Sequence, residues 1–354
     1  MRLSAKKEGQ MSEFTSLESA VLNYIQNGVP LLERPFQRIA NDLDTSEEEV
    51  IKIVARLKNQ NIIRNISAIF NGESLGFHLS LVAFKVAEDE IEHAAATISS
   101  HPGVSHNYLR RHQYNIWFTL AVENNKSFED MVALIAKKAH AQDYLIMRNE
   151  KLLKIGLKLQ IGDAGKNQTS DTSHAEIPKQ APARKFIEEE RLAICLLQTD
   201  LPIVEQPFAL IVQDSTMTEK RLLEFGEIFR QEKCMRRYAA VLRHMKAGFT
   251  NNAMTAWKLN DGAEDNDTVL RPFIDHKAVT HLYLRTLYPG RWEHPVFAMV
   301  HARSPEELNE IISELSRQSG LNEYMVLDSL REFKKERINY FSHTQEEWKG
   351  STHD

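Results

Sequence analysis

Two stretches of this chain carry the same three reactive side chains at the same spacing. "VSHNYLR" places His106, Tyr108 and Arg110 two residues apart, and "VTHLYLR" does the same with His281, Tyr283 and Arg285. Imidazole is the side chain that exchanges a proton near neutral pH. A guanidinium pairs with a carboxylate through two parallel hydrogen bonds. Together they suit proton transfer to a molecule that bears several carboxylates. Arg111, His112 and Tyr114 follow the first stretch, Arg243 and His244 precede the second, and "LYPGRWEHP" adds Arg291 and His294 after it. The only cysteines, Cys195 and Cys234, stand in unrelated contexts, which removes a disulfide framework and a thiolate metal site.

The element that would hold such a triplet is a β-strand. Side chains alternate along a strand, so His106, Tyr108 and Arg110 share one face while Asn107 and Leu109 take the other. His281, Tyr283 and Arg285 are expected to do the same.

The repetition extends well beyond these strands. Residues 30–86 align with 202–258 at a constant offset of 172, pairing Pro35 with Pro207, Phe36 with Phe208, Arg64 with Arg236, Ala68 with Ala240 and Gly76 with Gly248. The offset is 175 at the His-x-Tyr-x-Arg stretches and 180 where "YLIMRNEKLLK" faces "YMVLDSLREFK". The chain is therefore a tandem duplication. Between the copies, residues 162–184 are polar, rich in small side chains and without apolar periodicity, as a linker requires. Each copy opens with three helical patterns, the third starting at the cap "TSEEEV". Alternation follows: "IIRNISAIF" and "LSLVAFKV" read as strands, "EDEIEHAAATIS" as a helix, "VSHNYLR" and "NIWFTLAV" as strands and "FEDMVALIAKKAHA" as a helix. The expected fold class is α+β: two copies of a helix-turn-helix unit followed by a ferredoxin-like, four-stranded antiparallel layer in β-β-α-β-β-α order. The expected divisions are a tail at 1–15, a helical unit at 16–66, a layer at 67–161, the linker, a second helical unit at 185–238, a second layer at 239–344 and a tail at 345–354.

Composition agrees. A chain of 354 residues suits two domains, and 42% apolar with 26% charged residues is a globular makeup, neither fibrous nor disordered. No run of about 18 apolar residues and no leader-like segment is present, so a cytoplasmic protein is expected. The net charge of −5 supplies no general attraction to polyanions, whereas fourteen histidines are many for this length.

A helix-turn-helix followed by such a layer resembles the Lrp/AsnC regulators, which would imply DNA binding. The charges of the third helices argue otherwise. Glu47, Glu48 and Glu49 balance Lys52, Arg56 and Lys58; in the second copy Glu219, Glu224, Glu227 and Glu232 balance Lys220, Arg221, Arg230 and Lys233. A groove-reading helix needs a net positive face to neutralise phosphates. A packing module is the expected role, and nucleic acid is not the expected partner.

"HNYLRRHQYNIWFTLAV" with "IRNISAIFNGESLGF" resembles the A-type half of the siroheme decarboxylases. "LRHMKAGFTNNAMTAWKL" with "THLYLR" and "VFAMVHA" resembles the B-type half. The resemblance covers both copies and implies a fused enzyme, a carboxy-lyase serving the heme d1 or the alternative heme route. It implies removal of carbon dioxide from the acetates at C12 and C18 of siroheme, leaving methyl groups and giving 12,18-didecarboxysiroheme. The sequence departs from the family pattern at His78 and at Pro295–Phe297.

The inventory fits that chemistry. Electrons left by the departing carbon dioxide flow into the macrocycle, so the expected cofactor is none. A proton donor near neutral pKa points to His244 and His281 first, then His106 and His112. Substrate carboxylates call for Arg64, Arg110, Arg111, Arg236, Arg237, Arg243, Arg285 and Arg291, with Tyr108 and Tyr283 as hydrogen-bonding or packing residues. The acetate that reacts should not be clamped by Arg, since pairing there favours the starting carboxylate over a transition state that is losing its charge. No protein metal site is expected, and a His acting as acid or as axial ligand to the substrate iron both stay open. Because His244 faces Gly72 and Arg243 faces Asn71 in the repeat, the complete site is expected mainly in one half of an intramolecular pseudo-dimer, with further pairing into a homodimer. A non-catalytic tetrapyrrole or amino-acid sensor and a DNA regulator are the competing readings; Trp117 and Trp257 are expected in the core, and His301 on a strand.

Overall fold

A computed structural model describes residues 14–155, 184–242, 251–260 and 267–342. The expected linker lies outside these except for Arg184, as do the C-terminal tail and the N-terminal tail up to residue 13.

Each copy starts as expected with three helices: α1 (Ser16–Asn27), α2 (Pro35–Asp42) and α3 (Glu47–Asn59). Thr15 caps α1 in a reciprocal capping box with Glu18, Pro35 begins α2 where its missing N–H costs nothing, and Ser46 caps α3. Val21, Leu22, Ile25, Phe36, Ile39, Val50, Val54 and Leu57 recur at helical spacing and are fully buried.

A strand β1 (Ile63–Phe70) follows. It does not join the ferredoxin-like layer, which corrects the sequence expectation. Both its faces are largely buried, and its edge is satisfied by a strand of the other copy, β7 (Met235–Leu242), antiparallel with Ile66 opposite Ala240 and Ala68 opposite Tyr238. This two-stranded ribbon lies in one core that also takes in both helical units.

The first layer comprises β2 (Phe77–Lys85), α4 (Ile91–Ser100), β3 (Val104–Arg110), β4 (Ile116–Glu123), α5 (Phe128–Lys138) and β5 (Asp143–Met147). One residue later the chain enters β6 (Asn149–Ile155), which belongs to the other layer. The second copy repeats α6 (Glu188–Leu197), α7 (Pro207–Val212), α8 (Glu219–Gln231), the ribbon strand β7, then β8 (Asn251–Trp257), α9 (Asp267–Asp275), β9 (Val279–Arg285), β10 (Val296–Ala302), α10 (Pro305–Ser319), β11 (Tyr324–Leu327) and β12 (Ser329–Lys335). The sheet orders are β12-β3-β4-β2-β5 and β11-β8-β10-β9-β6.

Each layer thus has five strands rather than four, the fifth lent by the other copy. An edge strand such as β3 exposes a row of unpaired N–H and C=O groups, and the lent strand closes it. Helices cover the outer face of each sheet. The inner faces meet through Ala83, Trp117, Leu145 and Met147 of the first layer and Ala256, Trp292, Phe297 and Leu327 of the second. Trp117 and Trp257 are buried as expected. Among the described residues, no helix is long and apolar enough to cross a membrane.

Candidate active site

The expected alternation holds on both triplet strands. Asn107 points outward and donates to the Ala95 carbonyl of α4 at 3.2 Å, and Leu282 and Leu284 pack under the outer helices. His106, Tyr108 and Arg110, and likewise His281, Tyr283 and Arg285, face inward. In each copy the imidazole stacks near the tyrosine, with ring centroids 6.2 Å apart.

A β-bulge sits beside each histidine, between Val104 and His106 in the first layer and opposite Thr280 in the second. A bulge re-aims the residue it holds. Here it turns a hydroxyl onto the imidazole: Ser105 Oγ lies 2.9 Å from His106 Nδ1, and Thr280 Oγ1 lies 2.9 Å from His281 Nδ1. In the second copy the chain of bonds continues. Thr280 Oγ1 is 2.8 Å from His301 Nε2, and His301 Nδ1 is 2.7 Å from Asn252 Oδ1. The amide oxygen can only accept, so His301 Nδ1 donates to it, His301 Nε2 accepts from Thr280, and Thr280 accepts from His281 Nδ1–H. His281 then presents the lone pair of Nε2. The first copy has Ala121 where the second has His301, and its string ends at Ser105.

Burial, with His301 adding to it, pushes His281 down to about 4, so the imidazole is neutral before any anion arrives. His106 is also lowered, by burial and then by Lys335 and Arg64, against an opposing pull from Glu332. Burial raises the Tyr283 hydroxyl, opposed by Arg285 and Arg236. It drives Tyr108 to about 12, with Glu332 adding to the rise. The ribbon strands therefore bring the equivalent residues Arg64 and Arg236 within electrostatic reach of the two His/Tyr pairs.

The borrowed strands make the two sites unlike. Opposite Tyr108, β12 supplies Glu332; opposite Tyr283, β6 supplies Leu152. Arg337, just beyond β12, donates to Ser67 Oγ at 2.9 Å. Burial and the charges of Arg64 and Arg237 depress it to about 10, so three guanidinium groups gather beside the ribbon. Sequence reading missed Arg337, which sits in the charged run "KKERINY" and resembles solvent decoration. It also missed Thr280, Ser105 and Asn252, whose roles depend on bulges and on cross-strand register.

The other candidates divide. Arg110 and Arg285 are each bonded to a backbone carbonyl of the other half. Arg110 Nη1 donates to the Leu327 carbonyl at 2.5 Å and Arg285 Nη1 to the Met147 carbonyl at 2.8 Å, each gripping the point where the other half's chain crosses between sheets. Burial lowers both to about 10. Arg291 is held by Asp143, at 2.5 Å, and by the Tyr144 carbonyl. His112 stands at the far end of β3 from His106, with its ring edge toward Trp292 at 5.2 Å and its Nδ1 accepting from the Tyr114 N–H. Arg111 is exposed beside it. His78 lies on the outer face against Phe128 of α5 at 4.5 Å. Arg243 and His244 lie outside the described residues.

A cleft of about 610 Å³ lies between the helical units and the ribbon, lined among others by Tyr24, Arg38, Arg230, Arg236, Arg237 and Tyr238. No imidazole is among the described residues that line it. Five of the seven cations named for the third helices are engaged: Lys52 with Glu48, Arg56 with Glu18, Lys58 with Asp200, Arg221 with Glu189 and Glu224, and Arg230 with Glu227.

The architecture defines a class: two fused copies of a helix-turn-helix unit with an AsnC-like ligand-binding layer. The AsnC-like ligand binding domain model matches residues 74–154 and 246–334, and the siroheme decarboxylase NirDL-like HTH domain model matches 18–64. The siroheme decarboxylase of Hydrogenobacter thermophilus is 36% identical over 329 residues, covering 93% of this chain and 96% of that one. The siroheme decarboxylase NirDL subunit of Paracoccus denitrificans is 27% identical over 322 residues, 90% of this chain and 95% of its own. The crystal structure of the siroheme decarboxylase NirDL in co-complex with an iron-uroporphyrin III analogue superposes with a TM-score of 0.75 at 32% identity, over 94% of this chain and 97% of that one. The chain belongs to the siroheme decarboxylase family, in its fused two-half form, and is a carboxy-lyase.

Proposed function

We propose that the protein decarboxylates the C12 and C18 acetates of siroheme to give 12,18-didecarboxysiroheme, with imidazole as proton donor and guanidinium groups binding the remaining carboxylates. The observation that carries this reading is the second-half constellation: His281 oriented by Thr280, His301 and Asn252, with Arg236 nearby and apolar Leu152 on the strand alongside.

In each step the bond between the acetate methylene and its carboxyl carbon breaks. The electron pair is taken up by the macrocycle, carbon dioxide leaves, and one proton is added to the methylene to make a methyl group. The tetrapyrrole is its own electron sink, so no organic cofactor is required. A neutral His281 cannot give that proton. Docking a molecule with eight carboxylates beside it favours the imidazolium and raises its pKa. The substrate thereby charges its own acid, at Nε2, while Thr280 keeps Nδ1–H in place. The same Nε2 is the atom an axial iron ligand would use.

The first-half pair is the poorer place for a polyanion, because Glu332 stands beside Tyr108 and repels carboxylates. Arg64, whose Nη2 also donates to the Lys335 carbonyl, Arg236, Arg237 and Arg337 are the carboxylate-binding candidates on and beside the ribbon. Arg243 and His244 are retained as further binding and donor residues of the second half, on the family resemblance. The neutralised third helices support a packing role for the helical units, and pairing of two chains into a homodimer is proposed on the same dyad logic.

Anaerobic incubation of the purified protein with siroheme, followed by mass spectrometry of the pigment, tests the reading. Loss of two carbon dioxide units is expected; a bound pigment of unchanged mass would indicate a sensor instead.

A further inference from the structure

Away from both sheet faces, three donor groups meet on the outer surface of the first layer. Glu90 ends the short 3-10 turn Glu88–Glu90 that leads into α4, His93 lies in the first turn of that helix, and His140 follows the C-terminal end of α5. One ligand atom from each lies within 4.8 Å of the other two.

The hydrogen bonds prepare these groups. His93 Nε2 is 2.8 Å from the Lys138 carbonyl oxygen, which can only accept, so Nε2 carries the proton and the Nδ1 lone pair points away from it. A metal-bound histidine is commonly fixed in this way, its second nitrogen donating to a backbone carbonyl. His140 Nδ1 is 3.1 Å from Glu90 Oε2, and the two imidazole rings lie 4.7 Å apart, tilted by 32°. Rings that close repel if both are protonated, whereas one cation placed between lone pairs and a carboxylate satisfies all three. Glu88 and Asp89, the other residues of that turn, add negative charge next to Glu90 in the chain.

His140 has φ 50°, in the left-handed region. At the offset of 180 its counterpart is Gly320, which caps α10 with φ 74°. The second copy uses glycine where this conformation is free of side-chain strain, and the first holds a histidine in it.

We propose that Glu90, His93 and His140 form a site for a borderline divalent cation of the zinc type. Three protein ligands are supplied and water completes a four-coordinate sphere. The site ties the start of α4 to the turn after α5, so its role is to brace the outer helices. It is separate from the decarboxylation chemistry.

The test is titration of the full-length, chelator-treated protein with cobalt(II), read by the visible bands of four-coordinate cobalt, and with zinc by calorimetry. Cobalt bands and one zinc equivalent per chain are expected at this site, with affinity reduced at least about tenfold in His93→Ala and in His140→Gly. His140→Gly keeps the left-handed backbone and should fold at least as well as the parent. Zinc should raise the melting temperature of the parent and leave that of His140→Gly unchanged. No binding to the parent, or binding that both variants retain in full, would overturn the proposal.

Discussion

Arg285 reaches across the pseudo-dyad and donates from Nη1 to the Met147 carbonyl oxygen at 2.8 Å, at the point where the first half's chain leaves one sheet for the other. Arg110 makes the mirror bond to Leu327. Each guanidinium also lies over its neighbouring tyrosine, Arg285 at 4.7 Å from the Tyr283 ring and Arg110 at 5.3 Å from Tyr108. The strands that bear the histidines are therefore locked to the strands that each half lends.

Arg285→Ala leaves the buried Met147 carbonyl without its partner, which costs about 1–3 kcal/mol. Denaturant unfolding should show that loss, while siroheme affinity of the folded fraction stays near the parent value. A large loss of affinity with unchanged stability would return Arg285 to the substrate.

Arg236→Ala should behave in the opposite way. Its side chain is exposed on the ribbon, so stability should hardly change. Loss of a charge-assisted bond to a substrate carboxylate should weaken siroheme binding about tenfold or more, read from the pigment absorbance. Arg64→Ala should have the smaller effect, because Glu332 already disfavours a carboxylate there.

His301→Ala should lower kcat about tenfold with little change in KM, because it releases the Thr280 hydroxyl that orients His281. It also removes a group that depresses His281. The falling limb of the pH profile for the free enzyme, where the acid loses its proton, should accordingly move to higher pH. A lower kcat with an unmoved profile would make His301 merely structural.

His281 and His101 are both held near 4 in the fold, chiefly by burial, against an unfolded value of about 6.5. The unfolded chain then binds more protons as pH falls. Their contribution to stability is complete above about pH 6.5 and declines between there and about pH 4, by a few kcal/mol together. Melting temperature across that window should fall, and His101→Gln should flatten the slope.

The duplication and the inward-facing triplets were legible because repeat spacing and strand alternation are properties of sequence. Ser46, Thr15 and Pro35 likewise announce helix starts by type alone. What could not be read was partnership at long range. The ribbon of β1 with β7 and the lending of β6 and β12 depend on which edges meet in space. A run such as "IIRNISAIF" has the same alternation wherever it pairs. For the same reason Arg110 and Arg285 look like free cations in sequence, although each is committed to a carbonyl more than 130 residues away. Arg337 was missed because nothing local separates it from the charged residues around it.

The most direct measurement is a single-turnover, anaerobic incubation of siroheme with the parent protein and with His281→Ala and His106→Ala, followed by pigment mass. The parent should remove two carbon dioxide units, His106→Ala should remain active, and His281→Ala should bind the pigment and leave its mass unchanged. Full decarboxylation by a folded His281→Ala protein would contradict the assignment of the second-half imidazole as the proton donor.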